Sequence, residues 1–148
     1  MKKIRIFTVF GLLLLISDRI TKFYIQNHPN FYLGDFIELK FFQNTRFYFF
    51  SFGDYTNLII SIISGVVLVI FILLFFKYLK TGKILLLSGF LLVIFGGASN
   101  LFDRIYYGYV IDFIKIFILP ISIFNIADVL IFLGLILVVF SLYRDYNK

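Results

Sequence analysis

The sequence predicts a mainly α-helical integral membrane protein with four transmembrane helices. The chain has 148 residues, of which 61% are hydrophobic, and its mean hydropathy is +1.01. A water-soluble domain of this size does not need so much apolar surface. Four apolar runs are each long enough to cross a hydrocarbon layer of about 30 Å, which takes about 20 helical residues. These runs cover residues 4–25, 57–76, 84–102 and 121–142, approximately, within a single membrane domain, 1–148.

The first run is apolar but is interrupted by Asp18, Arg19 and Lys22. Asp18 and Lys22 are four residues apart, which predicts a stabilising ion pair along one helix face. The run also has the basic start and apolar core of a signal peptide, yet no small-residue cleavage site follows that core. We therefore expect an uncleaved first helix.

The later runs differ in their polar content. The second run contains no charged residue. The third contains Gly89, Gly96 and Gly97, and such small residues let helix backbones approach closely in a membrane. The fourth carries Asn125 and Asp128 in its first turns, three residues apart, so we expect their side chains to share a helix face.

Two connections, approximately 26–54 and 103–120, join these runs on one side of the membrane. Residues 36–42 of the first connection partly alternate apolar and charged side chains, which indicates a short strand. Residues 30–34, just before it, look like a turn. The sequence therefore predicts a small β-structure outside the hydrocarbon layer.

Basic residues cluster at three places, and these clusters predict the orientation. The three places are the amino terminus, the turn between the second and third runs, and the carboxyl terminus, and we expect all three to be cytoplasmic. Both connections then lie on the extracytoplasmic side. The formal net charge of +6 is thus a topology signal, and we expect no nucleic-acid partner. The residues are Lys2, Lys3, Arg5, Lys77, Lys80, Lys83, Arg144 and Lys148.

Polar and ionisable side chains occur within the last two apolar runs and in the connection between them. Such side chains are costly in a bilayer and therefore mark candidate functional sites. Because a short connection brings the ends of antiparallel helices together, Asp112 and Asp128 can meet at one membrane face. The full set is Asn100, Asp103, Arg104, Asp112, Asn125 and Asp128.

Two carboxylates that share a site favour a proteolytic mechanism. They do not comfortably both ionise, so one holds a proton while the other deprotonates a water that attacks a peptide carbonyl. Asparagine side chains would bind the substrate backbone or the oxyanion, and Arg104 would pair with Asp103 or with a phosphate. The chain has no cysteine and one histidine, His28, which excludes thiolate nucleophiles and multi-histidine metal sites. We expect no metal and no cofactor.

Two other interpretations of these residues stay open. Asp103 beside Arg104 is equally compatible with an interfacial cap or ion pair. The aspartates Asp112 and Asp128 would also suit an ion relay in a small membrane transporter or assembly subunit. A transporter needs a polar path through the midplane, however, and the uncharged second run offers none.

Several motifs, spaced along the chain, indicate a resemblance to a known family. Over nearly its whole length the chain resembles lipoprotein signal peptidase, the prokaryotic signal peptidase II family. The motifs that carry the resemblance are Asp18-Arg19-Ile20-Thr21-Lys22, Asn44-Thr45, Gly97-Ala98-Ser99-Asn100-Leu101-Phe102-Asp103-Arg104, Val110-Ile111-Asp112-Phe113 and Phe124-Asn125-Ile126-Ala127-Asp128.

The resemblance implies an aspartic endopeptidase that cleaves the signal peptide of a prolipoprotein just before a diacylglyceryl-modified cysteine. Asp112 and Asp128 would be its catalytic dyad. It also implies a small extracytoplasmic β-cradle and a mobile connecting helix before Asp54. The protein would lie in the prokaryotic cytoplasmic (inner) membrane, in contact with membrane lipid. We expect a monomer. The substrate-binding or supporting residues would be Asn44, Asn100, Asp103, Arg104, Asn125, Asp18 and Lys22.

One segment departs from the family pattern. The family usually has a glycine and small residues after its Asn-Thr pair, whereas Arg46, Phe47 and Tyr48 follow Asn44-Thr45 in this chain. We expect this bulky, cationic stretch to affect substrate preference or to touch lipid phosphate.

Overall fold

The fold is mainly helical, as predicted, with a small antiparallel sheet. The computed structural model describes residues 2–28, 31–33, 36–45, 55–117 and 123–147. In chain order the elements are α1 (Lys2–Asn27), β1 (Phe31–Leu33), β2 (Ile37–Asn44), α2 (Thr56–Tyr78), a single 3-10 turn (Leu79–Thr81), α3 (Ile84–Tyr107), β3 (Val110–Ile116) and α4 (Ile126–Tyr146).

Helix α3 is the centre of the bundle, because it packs against α1, α2 and α4. Glycines let α3 and α4 approach closely, as the sequence predicts. A Cβ atom added to Gly89 would lie 2.8 Å from the backbone oxygen of Gly134, and one added to Gly96 would overlap the backbone oxygen of Ala127. Gly97 instead faces Leu68 of α2, at an ordinary contact distance of 3.5 Å.

Three helical segments of the described chain are long and apolar enough to cross a membrane: Thr56–Thr81, Ile84–Tyr107 and Ile126–Tyr146. Helix α1 has 26 residues, but its charged residues, among them Asp18, Arg19 and Lys22, keep it outside this set. Length and composition therefore do not confirm the predicted count of four transmembrane helices.

The sheet has the strand order β1-β2-β3, and both pairs are antiparallel. Strand β2 confirms the strand predicted at residues 36–42. The turn predicted at residues 30–34 is wrong for residues 31–33, because these aromatic and apolar residues form β1 and pair with Ile37–Leu39. Arg46–Tyr48 and the connecting helix expected before Asp54 lie outside the described residues.

The ends of α3 and α4 differ from the sequence-based boundaries. Helix α3 continues past residue 102 to Tyr107 and ends at Gly108, whose positive φ of 81° is a left-handed conformation that glycine adopts without steric cost. Helix α4 begins at Ile126, preceded by Asn125 as the N-cap. Asp103 and Arg104 are therefore helical residues, and Asn125 is not one.

Candidate active site

A cavity of about 580 Å³ lies where the carboxyl end of α3, the amino end of α4 and β3 meet beside α2. Its apolar wall includes Ile60, Ile63, Val67, Leu68, Val93 and Ile131. Five of the predicted site residues form its polar wall, and the two aspartates are among them. The five are Asn44, Asn100, Arg104, Asp112 and Asp128.

Asp112 lies in β3 and is 1% exposed. Its two carboxylate oxygens accept hydrogen bonds from amides on different segments: Oδ2 from Asn44 Nδ2 at 2.7 Å and Oδ1 from Asn125 Nδ2 at 2.7 Å. The strand register explains the first contact. Asn44 pairs with Val110, two residues before Asp112, and residues two apart on a strand project from the same face.

The surroundings of Asp112 change its acidity. Burial raises the pKa of Asp112 to about 7, and the negative charge of Asp128 adds to the increase. The amides of Asn44 and Asn125 and the ammonium of Lys22 oppose it. Asp112 is therefore suited to hold a proton at neutral pH.

Asp128 is fixed by the amino terminus of α4. Asn125 and Asp128 form a capping box: the Asp128 N–H donates to Asn125 Oδ1 at 2.8 Å, and the Asn125 N–H donates to Asp128 Oδ2 at 3.1 Å. The other carboxylate oxygen, Oδ1, accepts from Asn100 Nδ2 at 2.7 Å. Each carboxylate oxygen of Asp128 thus accepts a hydrogen bond, one from Asn100 and one from the Asn125 backbone.

Asn125 connects the two aspartates. It is fully buried, and its amide donates to Asp112 while its oxygen accepts from the Asp128 backbone. The residue before it, Phe124, bridges to Ile114 of β3 through backbone hydrogen bonds of 2.7 and 3.0 Å. Sequence reasoning expected Asn125 in the first turn of the helix; as the N-cap it instead ties the strand to the helix.

A buried ionic cluster lies on the α1 side of the site. Asp18 and Lys22 form the predicted i,i+4 ion pair, with 2.9 Å between Nζ and Oδ2. Lys22 Nζ also lies 2.8 Å from Asp103 Oδ2 and 3.0 Å from Asn100 Oδ1. None of these three charged side chains is among the cavity-lining residues.

The predicted pairing of Arg104 with Asp103 is wrong. Asp103 pairs with Arg19 and Lys22 of α1, whereas the Arg104 guanidinium donates to Asn57 Oδ1 at 3.5 Å. Neighbouring helical residues point about 100° apart, since a turn takes 3.6 residues. Asp103 therefore faces α1 while Arg104 faces the cavity.

Three supporting residues were missed by sequence reasoning. The Ser99 hydroxyl donates to Asp18 Oδ2 at 2.6 Å. The Arg19 guanidinium pairs with Asp103 and lies 4.5 Å from the ring centroid of Phe102. Asn57 donates to the Arg104 carbonyl at 3.2 Å. Arg19 and Ser99 belong to two of the family motifs, but their partners are about 80 residues away in sequence, so no local pattern identifies the contacts.

The arrangement provides two carboxylates of different environment and one guanidinium around a shared cavity. Such a set is suited to proton transfer between water and a bound carbonyl group. Within the part of the chain that the structure describes, no group of three or more His, Cys, Asp or Glu residues is arranged to hold a metal ion.

Comparison with known proteins gives concordant matches. The model of the family "Signal peptidase (SPase) II" matches residues 10–144. The lipoprotein signal peptidase of Wigglesworthia glossinidia brevipalpis is 36% identical, over 86% of this chain and 88% of that protein. The lipoprotein signal peptidase of Moorella thermoacetica is 32% identical, over 92% of this chain and 91% of that protein.

A solved structure shares the fold. It is described as a bacterial membrane enzyme determined by the in meso method at 1.9 Å resolution, and it superposes with a TM-score of 0.78. The match covers 98% of this chain and 95% of that one, at 23% sequence identity.

Proposed function

The chain belongs to the signal peptidase II family, a family of membrane peptidases, and from that premise we propose that it is an aspartic endopeptidase of lipoprotein processing. Its substrate is a prolipoprotein that carries a diacylglyceryl group on a cysteine. The bond cleaved is the one just before that cysteine, which releases the signal peptide.

The main support for the proposed mechanism is that Asp112 and Asp128 line the same cavity. Asp112, with its raised pKa, holds the proton, and Asp128 is the base. Asp128 takes a proton from a water whose oxygen attacks the scissile carbonyl carbon, while Asp112 gives its proton to the carbonyl oxygen. Collapse of the tetrahedral intermediate breaks the C–N bond. The leaving nitrogen takes the proton from Asp128, and one hydroxyl of the intermediate returns its proton to Asp112, which restores both carboxyl groups to their starting states.

Arg104 suits a substrate-binding role. It lines the cavity, it is 8% exposed, and a guanidinium carries five N–H donors. We assign it to the backbone carbonyls of the substrate near the scissile bond. Asn44 and Asn100 each donate an amide N–H to one of the carboxylates, and we assign them to holding the dyad.

The apolar wall of the cavity supports a lipid-soluble substrate. It is built from Ile63, Val67 and Leu68 of α2, with Val93 of α3 and Ile131 of α4. These helices are among the candidate membrane spans. A signal peptide and an acyl chain are both apolar, and burying them against this wall gains binding energy without a polar cost.

Helix α1 completes the proposed four-span bundle. Its 26 residues extend about 39 Å at 1.5 Å per residue, which is enough to cross the hydrocarbon layer. Asp18 and Lys22 are fully buried against α3, so neither meets lipid. Its outward face is apolar and includes the exposed side chains Ile6, Val9, Phe10, Leu13, Ile20 and Phe23.

The proposed orientation places the site outside the cytoplasm. Lys83 precedes the first residue of α3, whereas Asn100 and Arg104 lie near its other end. Because the basic turn is cytoplasmic by the positive-inside rule, the dyad lies at the extracytoplasmic face of the prokaryotic inner membrane. Both termini are cytoplasmic, and the enzyme works as a monomer.

The proposal is tested by incubating the purified protein in detergent with two versions of one prolipoprotein precursor. One version carries diacylglyceryl on the cysteine and the other does not. We expect release of the signal peptide from the lipidated precursor alone, with the new amino terminus at the lipidated cysteine. Cleavage at another bond, or none in either precursor, would refute the assignment and favour the ion relay.

A further inference from the structure

The ammonium of Lys22 is fully buried, and all three of its N–H donors have partners. Nζ lies 2.9 Å from Asp18 Oδ2, 2.8 Å from Asp103 Oδ2 and 3.0 Å from Asn100 Oδ1. An ammonium only donates. The atom that Asn100 presents to Lys22 must therefore be its amide oxygen.

This contact fixes the direction of the Asn100 amide. With its oxygen toward Lys22, the amide turns its NH₂ toward Asp128, and Nδ2 donates to Asp128 Oδ1 at 2.7 Å. The reversed amide would place N–H groups against the ammonium and the oxygen against the carboxylate. Both contacts would be repulsive, and burial of Lys22 strengthens such electrostatic interactions.

Asn100 also takes part in a second branch of hydrogen bonds that ends on Asp112. Asn100 Oδ1 also accepts from Asn125 Nδ2 at 3.1 Å, and Asn125 Nδ2 donates to Asp112 Oδ1 at 2.7 Å. The Asn125 amide is also held by other groups: its Oδ1 accepts from the Asp128 N–H at 2.8 Å, and its Nδ2 lies 3.2 Å from the Ile111 carbonyl oxygen. The direct influence of Lys22 is therefore on the amide that donates to Asp128.

The partner of Lys22 on its own helix also holds α4. Asp18 Oδ1 accepts the backbone N–H of Ala127 at 3.0 Å, and Ala127 directly precedes Asp128. Asp18 Oδ2 accepts from Ser99 of α3 at 2.6 Å. Helix α1 thus contacts the backbone beside Asp128 through Asp18, and it contacts Asn100, the side-chain donor to Asp128, through Lys22.

From these contacts we propose that Lys22 is a positioning residue for cleavage: it orients the Asn100 amide and through it Asp128, without touching substrate. The inference rests on the proposed function of the same site. A residue that acts only on the reacting groups changes kcat and leaves KM nearly unchanged, since Lys22 does not line the cavity.

A double-mutant cycle tests whether Lys22 acts through Asn100. We expect Lys22→Met to lower kcat about tenfold to a hundredfold, the scale of misplacing a reacting group, with KM within about twofold. In an Asn100→Ala background the same change should lower kcat less than about twofold, because the orientation is already lost. Losses that multiply in the double variant would overturn the proposal, as would an unchanged kcat in Lys22→Met.

Lys83 supplies the matched control. It is also a lysine in an ion pair, 2.9 Å from Asp145 Oδ2, but it lies at the opposite end of α3 from the cavity. Lys83→Met should leave kcat and KM within about twofold of the parent in both backgrounds. A comparable loss in this control would show a general response to lysine removal and would overturn the proposal.

Removing Lys22 alone leaves two carboxylates, Asp18 and Asp103, and one cation, Arg19, in the described cluster. Arg19 pairs with Asp103, so Asp18 loses its ion pair, and this imbalance threatens folding. If Lys22→Met does not accumulate, the cycle uses Lys22→Met with Asp103→Asn, which keeps the cluster neutral, referenced to Asp103→Asn alone. The same criteria then apply. Failure of the unmutated protein to cleave the lipidated precursor would refute the proposed function, whereas normal cleavage with multiplicative losses would refute only the role of Lys22.

Discussion

At the residue scale, each aspartate of the site is defined by the amides that donate to it. Asp112 accepts from side chains of β2 and of the segment before α4, while Asp128 accepts from α3 and from its own helix cap. Amide donors stabilise the ionised form of a carboxylate, and burial and a neighbouring negative charge oppose it. At Asp112 burial and the charge of Asp128 prevail, and they raise its pKa to about 7.

The raised pKa of Asp112 predicts an alkaline limit to activity. In the proposed mechanism Asp112 acts in its protonated form, so kcat should fall as pH rises through about 7, where the proton is lost and both carboxylates become charged. Since the two groups interact, the apparent value belongs to the pair.

The measurement is kcat at saturating lipidated precursor between about pH 5 and about pH 9, a range that brackets the titration. Thermal unfolding at each pH serves as the control for loss of the fold. A kcat that increases steadily through neutral pH would contradict the assignment of the proton to Asp112.

The sequence identifies the site residues better than it identifies their partners. Two signals single out Asp112 and Asp128: the free-energy cost of placing a carboxylate in a bilayer, and the family motifs. The structure brings both residues to one cavity. The pairing of Asp103 could not be read in the same way. Its partners Arg19 and Lys22 are on another helix, and sequence adjacency to Arg104 suggested a contact that helix geometry forbids.

At the element scale, close packing of α3 on α4 places the dyad. The hydrogen of Gly96 faces the backbone oxygen of Ala127, the residue before Asp128. Any increase in the distance between the two helices there moves Asp128 relative to Asn100, its donor on α3.

Gly96→Ala is therefore expected to reduce both stability and activity. The added Cβ would overlap backbone, which a side-chain rotation does not relieve, so we expect a loss of about 1–3 kcal/mol in the free energy of unfolding. Gly65→Ala is the matched control, because its added Cβ would lie 3.9 Å from Leu101 Cδ2, an ordinary contact. Thermal unfolding and kcat are measured for both, and equal behaviour of the two variants would contradict the packing argument.

The elements show where sequence patterns are sufficient. Alternation predicts the strand at residues 36–42 because one sheet face differs from the other. Strand β1 was not predicted, since three residues give too short a pattern and their structure depends on pairing with β2. The extension of α3 to Tyr107 was missed because the charged residues Asp103 and Arg104 indicated a connection. Their side chains are instead buried among helices.

At the scale of the whole molecule, α1 shows how charged residues enter a membrane bundle. Hydropathy counts Asp18 and Lys22 against a transmembrane helix, but each neutralises the other and both are fully buried. In the proposed four-span bundle, the assignment of α1 as a span therefore depends on how its charged residues pack, which hydropathy does not record.

Single cysteines test the proposed topology without background labelling, because the chain has no cysteine. Asn27 and Lys80 are both exposed, polar helix-end positions that the proposal places on opposite sides of the membrane. In intact cells a membrane-impermeant thiol reagent should label Asn27→Cys and not Lys80→Cys. Permeabilised cells, the control, should give labelling of both. Labelling of Lys80→Cys alone in intact cells would reverse the orientation and contradict an extracytoplasmic site.

The central claim is that Asp112 and Asp128 act together in peptide cleavage, and release of signal peptide from a lipidated precursor by purified variants tests it most directly. Asparagine matches aspartate in size but cannot exchange the proton, so Asp112→Asn and Asp128→Asn should each lower kcat by about a thousandfold or more. The double variant should be no worse than either single one, since residues that act as a unit give non-additive losses. Asp145→Asn, at the other end of α4, is the control and should retain activity. Near-normal cleavage by either dyad variant, with the control active, would contradict the account.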